Sequence, residues 1–387
     1  MISRYDTIAP RPQPRLPDSG GPMSKIRVLV VDDSVVVRRL LSEALGADPA
    51  IQVVGVAPTG AIALARLPQL TPDIVTLDLE MPDMDGLATL RAIRAAYPIL
   101  PVLMVSRYTQ RLARATLDAL SMGASDYLTL PDHGGLASAT DWIKNQLITR
   151  IKQLARPAGR PSSLGLDTPR PSSPGFEPRS RIEVVAIGSS TGGPQALAAV
   201  LSALPIPFPV PMVIAQHMPP DFTRQLAERL ANLTSLTVRE ATPDALLEPG
   251  DVWIARGGLH LTTVRHHQYQ RLRLLATPPE NSCRPSADVL FRSVAEVFGA
   301  GVLAVVLTGM GQDGLRGCEA IRAAGGQVLT QDRATSVVWG MPGAVTEAGL
   351  SNQVLPLDEI GPEIGRRVSR GRTILASRTP SPALPSR

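Results

Sequence analysis

The sequence predicts an α/β protein made of two doubly wound parallel-sheet domains joined by a flexible linker. Two patterns predict it. Short apolar runs alternate with amphipathic stretches in two separate series along the 387 residues, and a segment rich in proline, serine and arginine divides the series. Length agrees, because a chain of this size splits into two cores rather than growing one. The expected division is a disordered extension over 1–24, a first domain over 25–154, a linker over 155–181, a second domain over 182–368 and a basic disordered tail over 369–387.

Residues 1–22 carry several prolines and glycines and no apolar periodicity, which is the composition of a disordered segment. Met23-Ser24-Lys25 stands just before the first apolar run as a candidate translation start. Strands are expected at 27–31, 52–56, 74–77, 102–105 and 125–127, with helices between them at 35–45, 61–67, 87–95 and 112–122. A helix over 139–154 closes this domain. The linker is semi-stiff where its prolines cluster. Beyond it, strands are expected at 183–187, 210–215, 251–254, 302–307 and 327–330, and a helix over 196–204. Residues 259–275 alternate in polarity and read as an antiparallel excursion. No repeat of solenoid length is visible.

Composition narrows the function. No run of eighteen apolar residues and no apolar signal-peptide core occurs, so neither membrane insertion nor secretion is expected. The two cysteines, Cys283 and Cys318, make no disulfide framework and fit a reducing, cytoplasmic setting. The net charge is +5, but six arginines from Arg366 onward meet no acid, and the chain before them sums to −1. With aromatics at 3% and no interleaved stacking platform, nucleic acid is not an expected partner.

Residues 188–192 read Gly-Ser-Ser-Thr-Gly between an apolar run and a helical stretch, a G-x-S-x-G turn that holds a serine hydroxyl outward at a sheet edge. Ser190 is thereby a candidate nucleophile, although a glycine-rich connection containing serines is the plainer reading. A serine needs a base and a carboxylate to orient it. His266 and His267 lie in the polar run 265–271, expected to be exposed, and His133 lies in the first domain. His260 follows Gly257-Gly258 and is expected to face a crevice. His217 ends the run 210–216 and is best placed, though a histidine at a strand end also serves as a buried hydrogen-bonder. The carboxylate candidate is Asp313, in the loop after the strand 302–307. That loop also spells G-x-G-x-x-G at Gly309, Gly311 and Gly314, a dinucleotide fingerprint. The nucleotide reading leaves Ser190 and His217 unexplained; the hydrolase reading uses all three loops.

Asp32, Asp33 and Asp78 fall at the carboxyl ends of the first and third expected strands, where a doubly wound sheet binds ligands. Converging carboxylates call for a hard dication such as Mg²⁺, the plain alternative being that each caps a helix or turn. The turn from Met81 to Gly86 and the hydroxyl of Ser106 favour a site.

On these residues the first domain resembles a response-regulator receiver domain of flavodoxin-like fold. The resemblance implies that Asp78 accepts a phosphoryl group from a histidine kinase. It further implies that Asp32 and Asp33, with Asp78 and the backbone carbonyl of Glu80, hold Mg²⁺, and that Ser106 and Tyr127 report phosphorylation. Leu130 departs from the family, which has a lysine before the proline at that place. An ammonium would pair with the phosphoryl oxygens and leucine cannot, so weaker phosphorylation or an altered signal is expected, with Arg107 a possible substitute.

The second domain resembles the Rossmann-like catalytic domain of chemotaxis-specific protein-glutamate methylesterases. It carries Ser-Thr-Gly-Gly at 190–193, Gln-His-Met-Pro-Pro at 216–220, Arg-Pro-Ser-x-Asp at 284–288, Thr-Gly-Met-Gly-x-Asp-Gly at 308–314 and Gly-Met-Pro at 340–342. The resemblance implies hydrolysis of glutamate methyl esters on chemoreceptors, with deamidation of certain glutamines, through Ser190, His217 and Asp313. It gives oxyanion donors near Thr191 and Met310 and no metal for the ester step. It also implies that the unphosphorylated receiver inhibits, so that a fragment from about residue 180 is more active than the whole chain. Arg284 contacts substrate or forms a structural ion pair. A receiver-controlled binding module with a vestigial esterase site is the second reading, and a nucleotide-dependent oxidoreductase the third.

Overall fold

The computed structural model describes residues 25–107, 110–130, 142–155, 181–370 and 372, without the side chains of 107 and 110–112. The expected extension, His133, the start of the helix expected from 139, the body of the linker, the Arg107 side chain and most of the tail lie outside the described residues. The chain divides into two compact units, separated at Arg160–Pro161 inside the expected linker.

The first unit is a five-stranded parallel sheet, β1 (Ile26–Val31), β2 (Ile51–Ala57), β3 (Ile74–Leu77), β4 (Val102–Arg107) and β5 (Asp126–Leu130), in the order β2-β1-β3-β4-β5. All five expected strands are present, most of them longer than expected. Helices Val35–Gly46, Gly60–Leu70 and Gly86–Ala96 begin where side chains satisfy free amides: Ser34 accepts from Val37 N, Thr59 from Ile62 N and Asp85 from Ala88 N. Helix Gln110–Ser121 follows β4, and a π-turn, Ile143–Leu147, leads into helix Ile148–Leu154. Val28–Val31 and Ile74–Leu77 are buried along their whole length, as central parallel strands covered on both faces must be. Strand order reverses between β1 and β3, which opens a crevice at their carboxyl ends.

The second unit is a seven-stranded parallel sheet. It comprises β6 (Val184–Ser189), β7 (Met212–Gln216), β8 (Thr237–Glu240), β9 (Asp251–Ile254), β12 (Val302–Val306), β13 (Gln327–Gln331) and β14 (Gln353–Leu355), in the order β14-β13-β12-β6-β7-β9-β8. The antiparallel excursion is a separate hairpin, β10 (His260–His266) with β11 (Tyr269–Leu275). β8 and β14, both at sheet edges, were not among the expected strands. The expected helix 196–204 runs instead over Gly193–Ser202, started by Pro194 in its first turn.

Helix Ala287–Phe298 organises one face of this sheet. Ser286 caps it by accepting from Val289 N, and Leu290, Phe291 and Val294 form its buried stripe. The Phe291 ring lies against the α-carbons of Gly188 and Gly317, places where a β-carbon would collide with it or with its neighbour Ala287. Helix Leu357–Ser369 draws in two arginines expected to belong to the basic end. Arg366 and Arg367 both pair with Glu363, one helical turn away. Arg372 donates to Ile182 O at 2.6 Å, so the fold extends past the expected boundary at 368.

Phe291→Ala leaves a cavity under the central strand, and the expected loss is about 3–5 kcal/mol. Denaturant unfolding followed on Trp253 and Trp339, which both lie in this unit, measures it; a loss under about 1 kcal/mol would show that the helix repacks.

Candidate active site

β6 ends at Ser189, and the next residue, Ser190, turns away with its N–H donating to Thr308 O at 3.0 Å. The turn closes at Gly192, whose φ of 76° suits glycine, and Gly193 packs so tightly on Gln216 that a β-carbon would overlap the Gln216 amide. Gln216, at the end of β7, ties the neighbouring strand ends together. Ser189 Oγ donates to Gln216 Oε1 at 2.7 Å, and Gln216 Nε2 donates to Ser190 O at 2.9 Å. His217 N donates to Ser189 O at 3.1 Å. Ser190 and His217 therefore stand side by side at the carboxyl edge of adjacent strands. On the other flank Gly309 abuts the Ser190 β-carbon, which brings Met310 next to the serine turn, while Thr308 Oγ1 donates to Thr191 O at 2.9 Å.

Asp313, in the loop after β12, is 2% exposed and bonds His217 Nε2 at 2.7 Å through Oδ2. The same carboxylate sits on the amino terminus of helix Ala287–Phe298. Ala287 N donates to Oδ2 at 2.6 Å, while Asp288 N at 3.2 Å, Ser286 Oγ at 2.8 Å and Asn281 Nδ2 at 2.9 Å donate to Oδ1. Burial alone would raise the carboxyl's pKa, but these donors and the imidazole outweigh it and hold Asp313 well below the usual carboxylate range. Burial likewise works against a charged His217, and its bonds to Asp313 and Cys283 reverse that, raising it above the ordinary imidazole value.

His217 Nδ1 faces the half-buried thiol of Cys283, 3.4 Å away, and among the described residues the Ser190 hydroxyl has no hydrogen-bond partner. His260 does not face a crevice, as expected from its glycines. It is wholly buried, with Nε2 on Pro278 O at 3.0 Å and Nδ1 accepting from Ser286 N at 3.2 Å, which fixes the neutral tautomer. It clamps both ends of the segment 278–286. Arg284 donates to Ala276 O and Thr277 O and forms no ion pair among the described residues. His266 and His267 are exposed at the hairpin tip. The G-x-G-x-x-G loop is committed to its own protein: Gly309 N donates to Val338 O, and Gly309 O accepts from Gly340 N and Met341 N. Asn281, Cys283, Ser286 and Gln216 were missed as site residues; Gln216 and Ser286 lay inside the quoted motifs, Asn281 and Cys283 carried no local signal, and His260 was read as facing a crevice rather than as the clamp it is.

In the first unit, carboxylate oxygens of Asp32, Asp33 and Asp78 all lie within 4.8 Å of one another. Burial first, then Asp32 and Asp33, push Asp78 up to about 7, against hydrogen bonds from the amides of Glu80 and Leu79. Gly86 packs on the Asp78 carbonyl where a β-carbon could not fit. Ser106 is buried near the end of β4, Tyr127 is half-buried on β5, and Leu130 ends β5.

Comparison with known proteins agrees with both halves. Residues 185–364 match the CheB methylesterase family model, and residues 28–137 match the response regulator receiver domain model. A protein-glutamate methylesterase/protein-glutamine glutaminase of Trichodesmium erythraeum is 51% identical over 354 residues, spanning 89% of this chain and 100% of that protein. The chain belongs to the CheB methylesterase family. A second protein of that name, from a Nocardioides strain, is 51% identical and spans 91% of this CheB-type chain and 98% of its own. The solved catalytic domain of Thermotoga maritima CheB methylesterase is 40% identical, with a TM-score of 0.47, covering 48% of this chain and 99% of that one.

The Asp313–His217 pair dictates a pH signature. Lowered Asp313 contributes stability that is present above its unfolded value of about 3.9 and lost as pH falls through the folded one. Raised His217 contributes stability present below about 6.5 and lost as pH climbs through its folded value. Asp313→Asn should therefore cost about 3–5 kcal/mol between roughly pH 5 and 6.5, with the difference from wild type shrinking on both sides. Denaturant unfolding across pH measures it; a pH-independent difference would mean the pair is not ionic.

Proposed function

We propose that the protein is a phosphorylation-regulated serine hydrolase that demethylates glutamate methyl esters, and deamidates glutamines, on chemoreceptors. The observation that carries this reading is the 2.7 Å His217–Asp313 bond beside Ser190 at one sheet edge. In its neutral form His217 donates the Nε2 N–H to anionic Asp313 and carries its lone pair on Nδ1, the basic site. Nδ1 takes the Ser190 proton as Oγ attacks the ester carbonyl, a role worth roughly 10²–10⁴ in rate. Backbone N–H groups near Thr191 and Met310 receive the developing oxyanion, each donor worth about 2.7–4 kcal/mol. His217 returns its proton to the departing methoxide, methanol leaves, and water repeats the attack on the acyl-enzyme to release glutamate. A carboxamide follows the same course with ammonia as leaving group. Nδ1 lies 3.4 Å from Cys283 Sγ, a weak hydrogen-bonding partner that a serine hydroxyl can replace.

In the receiver, Asp32, Asp33 and Asp78, with the Glu80 carbonyl, are the residues that would hold Mg²⁺. Three mutually repelling carboxylates and the raised Asp78 fit a dication, which when bound supplies counter-charge for phosphorylation of Asp78 by a histidine kinase. Ser106 and Tyr127 carry the signal. Leu130 brings no ammonium to this crevice. Among the described residues no helix is long and apolar enough to cross a membrane. A cytoplasmic setting suits the free thiols of Cys283 and Cys318.

Methanol release from methylated receptor membranes tests the chemistry. Ser190→Ala should lower the rate by roughly 10⁴-fold or more, and retained release would overturn the serine mechanism. For the receiver, Leu130→Lys should raise the stoichiometry and lifetime of phosphoryl-Asp78 formed from a small-molecule phosphodonor. Equal values in both proteins would show that the missing ammonium is without effect.

A further inference from the structure

The geometry points to Cys283 as a positioning residue of the esterase: its thiol holds the His217 ring by Nδ1, with Nε2 on Asp313, and yields Nδ1 to Ser190 when substrate binds. The inference rests on the serine-hydrolase reading and adds a residue to it.

An imidazole held through one nitrogen can still swing about the bond to its β-carbon. His217 is held through both, by Asp313 Oδ2 at 2.7 Å and Cys283 Sγ at 3.4 Å. Cys283 is itself fixed by its backbone. Glu280 and Cys283 exchange both main-chain hydrogen bonds, Cys283 N to Glu280 O at 2.8 Å and Glu280 N to Cys283 O at 3.1 Å. The two residues between them, Asn281 and Ser282, take left-handed φ values of 51° and 61° to make so tight a turn. Glu280 forks onto the Arg292 guanidinium at 2.6 and 2.7 Å, which anchors the turn to helix Ala287–Phe298. Asn281 and Ser286, on either side of the thiol, both bond Asp313, and His260 clamps the ends of the segment. One rigid segment thus places the partner of each imidazole nitrogen.

The chemistry of sulfur suits a contact that must be given up. A thiol is a weak donor and a weak acceptor, so it fixes the ring without competing strongly with a serine hydroxyl for the same lone pair. The other thiol, Cys318, is fully buried on helix Leu315–Ala323. The titratable groups facing His217 are Asp313 and Cys283, with Asp288 and Glu280 placed next to Asp313.

The test uses the full chain labelled with ¹⁵N-histidine, which has five histidines, His217 being assigned by its loss in His217→Gln. Wild type should show His217 in a single tautomer with Nε2 protonated once the ring is neutral. In Cys283→Ala the His217 signal should broaden as the ring gains freedom and its titration midpoint should move by about half a pH unit or more, with the other four histidines unmoved. In the methanol assay kcat should fall roughly 10-fold with KM held within about twofold, as for a lost orientation. Cys283→Ser, which keeps a hydrogen-bonding group in nearly the same volume, should recover most of both. A His217 line width and titration unchanged in Cys283→Ala would overturn the proposal. The spectra are taken without substrate, so they decide the positioning role independently. Failure of wild type to release methanol would instead sink the hydrolase reading.

Discussion

One carboxylate holds the second unit's site together. Asp313 accepts five hydrogen bonds, from His217, Asn281, Ser286, Ala287 and Asp288, and thereby joins the loop after β12, the end of β7, the segment 278–286 and the first turn of helix Ala287–Phe298. A helix amino terminus has free N–H groups and the positive end of its dipole, so it offers a buried anion what water would have offered. That is why Asp313 stays ionised at 2% exposure, where a lone carboxyl would take up a proton. An ionised Asp313 in turn fixes which imidazole nitrogen bears the proton. The chemistry at Ser190 therefore depends on a capping arrangement at Ser286–Asp288, on a distant stretch of the chain.

The receiver solves the opposite electrostatic problem. Asp78 lies among Asp32 and Asp33 with no basic side chain supplied by Leu130, and burial and like charge drive its pKa up. Asp313 is preorganised by donors already in the fold; Asp78 has two like charges beside it and only the Glu80 and Leu79 amides to offset them. Residues of one type thus serve two purposes, set by environment. A preassembled site suits catalysis, since donors aligned in advance need no reorganisation in the transition state. A frustrated site suits a switch, since its occupancy changes the local charge most.

Much of the architecture was legible in the sequence because buried parallel strands read as unbroken apolar runs. Val184–Ile187 and Val302–Val306 announce themselves in this way. β8 and β14 did not, because an edge strand such as Thr-Val-Arg-Glu needs only one buried residue and has no such run. Arg366 and Arg367 were read as part of a solvated end, although Glu363 stands three and four residues before them, the spacing of helical ion pairs. Ser190 and His217 were visible because each follows directly on a strand, and Asp313 because it lies in the loop that follows one. Asn281 and Cys283 were not. Their partners are 32 and 66 residues distant, and nothing local distinguishes them from loop residues.

The order of the strands accounts for the order of the site residues along the chain. β6 lies between β12 and β7, so the serine that follows β6 is flanked by the histidine after β7 and the aspartate loop after β12. Asp313 must reach past the serine's strand to meet His217, and the helix amino terminus at Ser286–Asp288, packed over β6, lets it do so. Parallel strands all present their carboxyl ends on one edge, so three consecutive neighbours in the sheet can each contribute one group whatever their separation in sequence. The sequence Ser, His, Asp is then a record of how the chain visits the sheet. The same three groups would serve equally in any other order, provided that the nucleophile's strand is the middle one and a buried donor set keeps the distant carboxylate charged.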